Sequence, residues 1–380
     1  MFSDRTAWPS SANHFTLALE RARISGRTLL DLTVSNPTTC GFAYDVDAIG
    51  TALQHPEVLE YRPEPLGLRS ARTAIAALYP APIDPDHIFI TAGTSEAYAH
   101  IFRLLCNTGD EILIAAPGYP LLDLIADLCD MRLVKYHVFY DHAWHIDLHD
   151  IETKITPRTR AIVLVHPNNP TGSYVAEREA LNQICANRNL ALIVDEVFLD
   201  FALEEDAAPS FAGTTATLTF TMNGLSKMAG LPQMKAAWTV VSGSVVQRDE
   251  ALRRLEFIND TFLSASTPVQ LALPQLLETR QRFQQQVRER SKHNLSQTDA
   301  LLAHGHPCSR LFVAAGWYVT LRVPALVSDE DLAIDLVEKD GVVVESGHFF
   351  DFPNDGYLVL SLLTPEQTFA EGVRRILARF

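Results

Sequence analysis

The chain has 380 residues, too many for one small core, so two domains are expected. Hydrophobic residues make up 47% and charged residues 20% of it, which excludes a disordered or fibrous chain. A formal charge of −15 argues against a nucleic-acid or anionic-membrane surface, but not against a phosphorylated cofactor, which needs only local donors.

Five cysteines are scattered without a C-x-x-C pair, as suits a reducing compartment, and a cytoplasmic location is expected. The N-terminus lacks a basic segment followed by an apolar run, so no signal peptide is expected. No stretch reaches about 18 uninterrupted apolar residues, so no membrane span is expected either.

In chain order, Thr16 to Gly26 reads as a helix and Leu29 to Val34 as a short strand. Ser35-Asn36-Pro37-Thr38 is a turn, since proline fixes φ and asparagine bonds its own backbone. Asp45 to Leu53 is a short helix, Tyr61 to Gly67 a loop, and Leu68 to Leu78 a helix closed by Pro80. From residue 86 strands and helices alternate. Strands are expected at His87–Thr91, Glu111–Ala115, Arg132–Val138, Ala161–Val165, Leu190–Val194, Leu218–Met222 and Ala236–Val241. Helices are expected at Glu96–Cys106, near 121–130 and at Glu177–Arg188. Short apolar strands interleaved with helices predict an α/β three-layer sandwich whose mainly parallel sheet is covered on both faces. Ligands then sit beyond the carboxyl ends of the strands.

Thr267 to Ala303 reads as one long helix with a kink at Pro274. Beyond it the pattern becomes α+β: strand Gly316–Val323, helix Asp329–Lys339, strands Val342–Glu345 and Tyr357–Leu362, and a last helix Glu366–Ala378. The expected division is a large domain at 45–285 and a smaller one made of 1–44 and 286–380.

Chemistry gathers at the predicted strand ends. Lys227 follows a strand-like run and lies between Gly224 and Gly230, which free the backbone. A lysine held among apolar groups loses proton affinity and can form a Schiff base, whereas an isolated Ser-Lys pair is ordinarily a surface turn. Asp195 closes an apolar strand, as a helix N-cap or as a carboxylate that keeps a pyridine nitrogen protonated. Asn169, in Asn168-Asn169-Pro170-Thr171-Gly172, can donate to a ring oxygen or serve only the turn. Gly93-Thr94-Ser95 opens a helix and can bind an anion there. Tyr119 can stack on an aromatic ring or belong to the core. His142, His145 and His149 have helical metal-ligand spacing, but their segment reads as alternating strand and loop, and no metal is expected. Gly-x-Ser-x-Gly, P-loop and dinucleotide fingerprints are absent.

Taken in order, Ser35-Asn36-Pro37, Tyr61…Gly67, Thr91 to Ser95, Pro117 to Pro120, Asn168 to Gly172, Asp195-Glu196 and Ser226-Lys227 resemble the class I/II aminotransferases of pyridoxal-phosphate fold type I, the aspartate aminotransferase-like superfamily. The resemblance spans nearly the whole chain. It implies pyridoxal 5'-phosphate as cofactor and an amino acid and a 2-oxo acid as substrates. It also implies a homodimer with sites at the interface. By it Lys227 carries the Schiff base and shuttles a proton, Asp195 pairs with the pyridine nitrogen, and Asn169 meets the ring oxygen and the substrate carboxylate. Tyr119 stacks on the ring. Gly93, Thr94, Ser95 and Ser226 belong to the cofactor cradle, Tyr61 reaches the phosphate of the neighbouring subunit, and Asn36 contacts substrate through its backbone.

Four departures stand out. Phe198 replaces a tyrosine whose hydroxyl would stabilise the ring oxyanion, which predicts a raised imine pKa. Gly224 stands where a phosphate-binding hydroxyl is usual. Lys235 stands where an arginine is usual and supplies a point charge rather than a fork. Val359 stands where an arginine clamps the substrate carboxylate; His348, on a loop that faces the site in relatives, is either a substitute or an ordinary loop histidine. The expected function is amino transfer. Other pyridoxal-phosphate reactions (lyase, decarboxylase, cyclase) stay open. A ligand-sensing role is disfavoured, because the chain is acidic and starts almost directly with the resembling segment.

Overall fold

The computed structural model describes residues 1–8, 13–205, 207–214, 216–263, 265–302 and 305–380. Among them eight strands form one sheet, in the spatial order Ile88–Thr91, Ala237–Ser242, Thr219–Gly224, Ala191–Asp195, Thr159–Val165, Glu111–Ala116, Arg132–Asp141, Ala143–Ile146. The five strands from Thr219–Gly224 to Arg132–Asp141 are mutually parallel. Ala237–Ser242 runs against both its neighbours, and Ala143–Ile146 runs against Arg132–Asp141 at the edge.

The three layers follow from the two-residue period of a strand. Ala191 and Ile193 point to one face, packing with Ala97, Ile101 and Phe102 of helix Thr94–Leu105 and with Leu252 and Leu255 of helix Val245–Phe262. Leu192 and Val194 point to the other face, packing with Leu181 and Cys185 of helix Arg178–Arg188. A strand buried on both faces must be apolar throughout, so the α/β, mainly parallel expectation holds.

A second, antiparallel sheet has the order Ser309–Arg310, Tyr318–Arg322, Tyr357–Ser361, Glu345–Ser346. Its Val319, Leu321, Leu358 and Leu360 bury against Leu332 of helix Asp329–Asp335 and Phe369 and Val373 of helix Glu366–Leu377. Helix Arg280–Leu302 joins the two bodies. Its buried Asn294 donates to the Leu362 and Thr364 carbonyls, 3.0 and 2.9 Å away.

Some elements differ from the sequence reading. Thr267 to Ala303 is not one helix kinked at Pro274. Pro274 lies inside helix Thr267–Glu278, and the break falls at Thr279. There the Thr279 hydroxyl and the Arg280 guanidinium take the Leu276 and Leu277 carbonyls, ending the ladder. Ala303 lies outside the described residues. Leu29–Val34 narrows to Leu30–Asp31, because the Asp31 carboxylate turns the chain by accepting from the Thr33 N–H and hydroxyl. Val342–Glu345 splits between sheets. Val342–Val343 pairs with Leu30–Asp31, and Glu345–Ser346 pairs with Tyr357–Ser361. Helix Val245–Phe262 has no counterpart in the sequence reading. It buries only a narrow row, Ala251, Leu252, Leu255 and Asn259, in a heavily charged segment.

Candidate active site

The parallel strands deliver their carboxyl ends to one edge, where a cavity of about 300 Å³ opens. Its floor and inner wall come from turns that follow those strands. Val165 leads to Asn168 and Asn169, Asp195 leads to Phe198, and Gly224 leads to Ser226 and Lys227. The turns are tied together. The Asn168 amide donates to the Pro117 carbonyl (3.1 Å) and the Thr171 hydroxyl (3.0 Å), and the His166 N–H donates to the Asp195 carbonyl (2.8 Å).

Asp195 is 8% exposed, and its carboxylate accepts from the Val197 N–H (3.1 Å) and the Tyr98 hydroxyl (3.2 Å). Burial pushes its carboxyl up to about 6, against the pull of those donors and of Lys227. Burial also lowers the Lys227 ammonium, with Asp195 opposing. The Lys227 Nζ lies 5.1 Å from the Trp317 ring centroid and 6.0 Å from that of Phe198. At those distances a ring face attracts a cation weakly. Phe198 is itself buried, edge-on to Trp317 at 5.3 Å.

The lysine sits in the short helical turn Leu225–Met228. Of the two flanking glycines, one departs from the expectation of backbone freedom. Gly224 is extended at φ −176°, open to any residue, and matters for space. A Cβ there would stand 3.0 Å from the Ala237 Cβ and 3.1 Å from the Ala236 carbonyl oxygen. Gly230 does need its freedom, with φ +66°, and a Cβ there would strike the Phe283 ring at 2.5 Å. The Gln284 amide donates to the Met228 carbonyl (3.0 Å), and the Tyr44 hydroxyl donates to the Gly230 carbonyl (2.9 Å).

At the other end of the cavity, helix Thr94–Leu105 opens with Gly93 as an N-cap without a side chain, leaving its first N–H groups available to an anion. Thr94, Ser95, Ser226 and Lys235 line the same cavity. Tyr119, 45% exposed, stands at its mouth.

The structure therefore gathers Gly93, Thr94, Ser95, Tyr119, Asn169, Asp195, Phe198, Ser226, Lys227 and Lys235 around one space. It places three other residues outside that lining. Asn36 is exposed, and its side chain caps Thr38. Tyr61 is 78% exposed. His348 is exposed, although its loop meets the site through the Phe350 carbonyl, which accepts from the Gly118 N–H (2.9 Å). Val359 is buried in an apolar cluster. Tyr98, Trp317 and Tyr318 escaped sequence reasoning. Tyr98 carried a signal, since it lies four residues after Thr94 on the same helix face. The other two carried none that a single sequence reveals.

The donor set fits pyridoxal phosphate. An anion-binding helix start lies at one end, and a buried carboxylate suits a pyridinium. An amine has its proton affinity reduced, and the Asn169 side chain, whose amide nitrogen can donate, lines the same cavity. Among the described residues, no helix is long and apolar enough to cross a membrane.

Comparison with known proteins agrees with this geometry. Residues 28–376 match the family model for aminotransferase class I and II. The glutamate-pyruvate aminotransferase AlaA of Escherichia coli (strain K12) is 32% identical over 262 residues, covering 67% of this chain and 64% of that protein. The chain thus spans slightly under two thirds of the length of that relative. An alanine aminotransferase of Mycobacterium tuberculosis is 27% identical over 374 residues, covering 94% of this chain and 86% of that one. The crystal structure of an aminotransferase from Escherichia coli superposes with a TM-score of 0.87 at 25% identity, covering 100% of this chain and 97% of that chain. By this match and by its fold, the chain belongs to the class I and II aminotransferase family.

Proposed function

We propose that the chain is a pyridoxal-phosphate-dependent aminotransferase that moves an amino group between an amino acid and a 2-oxo acid, with Lys227 as the Schiff-base lysine. The observation that carries this reading is the convergence of Lys227, Asp195 and Asn169 on one cavity. When bound, pyridoxal phosphate supplies an aldehyde that combines with amines and a pyridine ring that acts as an electron sink.

The remaining work belongs to the chain. Burial lowers the Lys227 pKa, which enlarges its neutral fraction, and the neutral amine is both the nucleophile and the base for the substrate Cα proton. Asp195, fixed by Tyr98 and the Val197 N–H, offers its carboxylate to the pyridine nitrogen and so keeps a proton there. Thr94, Ser95, Ser226, Lys235 and the helix start hold the phosphate as an anion. Asn169 would donate to the ring oxygen, and Tyr119 would cover the ring from the mouth. A second copy of the chain would receive the exposed Tyr61 at its phosphate site.

Alanine is the first donor to assay, because relatives are named for alanine and for glutamate-pyruvate transfer. The test mixes holoenzyme with single L-amino acids and follows the loss of visible cofactor absorbance together with 2-oxo acid release. Lys227→Ala should release none. Equal release by both proteins overturns the assignment of Lys227. Release of carbon dioxide or ammonia without stored amino group on the cofactor would favour a decarboxylase or lyase instead.

A further inference from the structure

Ser35 and Tyr318 are the two lining residues that come from outside the body of the eight-stranded sheet. Both hang on Ser361. Tyr318 pairs with Ser361 across the antiparallel ladder. The Ser361 N–H donates to the Leu32 carbonyl (2.7 Å), and its hydroxyl donates to the Val34 carbonyl (2.6 Å), fixing the segment that presents Ser35. The Tyr318 ring stands edge-on to Phe198, with centroids 6.2 Å apart at 88°, and Ser35 lines the same cavity. These contacts leave the phenol little freedom, so its hydroxyl is a preorganised group at the substrate end of the cavity.

That end lacks a free cation among the described lining residues, and the Glu345 carboxylate lies near enough to Tyr318 to add to the upward push that burial gives its phenol. On the strand beside Tyr318, Val359 sits opposite Thr320 and is buried among apolar side chains. The lysines and arginines among the described lining residues are Lys227 and Lys235, which the proposed function assigns to cofactor attachment and to the phosphate. An arginine fork gives a carboxylate two charge-assisted bonds, whereas a phenol gives one bond and serves a carboxylate oxygen or an amide carbonyl oxygen alike.

We propose that the Tyr318 hydroxyl, with Ser35 beside it in the cavity lining, reads the oxygen-bearing group on the substrate α-carbon as a neutral donor. The substrate class is then α-amino compounds whose Cα carries an oxygen acceptor, with carboxylates and carboxamides handled alike. This inference rests on the aminotransferase reading of the site.

Its test uses holoenzyme and ligands that bind without reacting further, because they lack a Cα hydrogen. These are the α-methyl analogues of alanine, leucine, phenylalanine and glutamate, each as free acid and as 1-carboxamide. Dissociation constants are read from the visible absorbance of the cofactor. In the wild-type protein, acid and amide of the best-bound analogue should differ by no more than about tenfold. Tyr318→Phe, which keeps the ring packing, should weaken both by about tenfold while leaving the spectrum of the unliganded cofactor and its pH titration unchanged. Ser35→Ala should weaken both by a smaller factor, and should add nothing in the Tyr318→Phe background. Three outcomes overturn the proposal. They are an acid preference above about 100-fold, which requires a cation such as one from a second subunit, unchanged binding in Tyr318→Phe, and binding of none of the eight compounds. Failure of the aminotransferase reading looks different. Acid and amide would bind in the expected ratio, yet no L-amino acid would yield a 2-oxo acid.

Discussion

The cavity has two unlike walls. The inner wall stands on five parallel strands, with Asp195 buried and bonded to Tyr98 and Val197, and with Lys227 over the Trp317 ring. The outer wall carries Tyr318 and Ser35 from separate segments, with apolar Phe198 behind them. The inner wall suits the proposed cofactor, with an anion-binding helix start, a buried carboxylate and an amine of reduced proton affinity. The outer wall sets fewer demands, so the substrate must be found by assay.

Breaking the inner wall should cost most. Lys227→Ala removes both attachment and proton shuttle, and the half-reaction should fall by about 10⁴-fold or more, checked by stopped-flow absorbance. A fall below about tenfold would move the centre of the site elsewhere.

Asp195→Asn should lower the same rate by about 10²–10³-fold. It also has a pH signature without cofactor. The Asp195 carboxyl is raised from 3.8 to about 6 in the folded chain, so burial penalises its ionised form. Stability is thus full below the ordinary carboxyl pKa and is lost as pH rises through about 6. The loss amounts to up to ~3 kcal/mol at neutral pH, and the asparagine variant should show a flatter profile across that window in urea melts. Glu196, raised to about 7 by burial beside Ser210 and Phe211, keeps its own later loss in both proteins.

At the junction of the walls the effects shrink. Phe198→Tyr should lower the imine pKa by about one unit, because a phenol near the ring oxygen stabilises that anion without help from an imine proton. Spectrophotometric titration reads it directly, and a higher value in the tyrosine variant would refute the account of Phe198. Smallest of all, Tyr61→Phe should weaken pyridoxal phosphate by about threefold to tenfold through one lost hydrogen bond, and only where the protein is associated. Affinity measured against protein concentration checks this.

The inner wall was also the legible one. Strands such as Ala191–Asp195 and Thr159–Val165 are buried on both faces, so they announce themselves as apolar runs, and the turns at their ends carry glycine, proline and asparagine. The outer wall depends on distant pairings, Tyr318 with Ser361 and Val34 with Ser361, which no local pattern encodes. Tyr98 was half-legible, since its helical spacing from Thr94 was available but its partner Asp195 lies 97 positions away. Helix Val245–Phe262 was hidden by its charge, and the break at Thr279 by the more conspicuous Pro274.

The Gly230–Phe283 contact has a mechanical consequence. The loop that carries Lys227 is clamped to helix Arg280–Leu302 by that ring and by the Gln284–Met228 hydrogen bond. The same helix, nearly three turns on from Gln284, holds the smaller sheet through Asn294. One rigid rod thus serves as axle for both bodies. A shift of that helix would therefore disturb the lysine loop and the smaller sheet together, through Phe283 and Gln284 at one place and Asn294 at another.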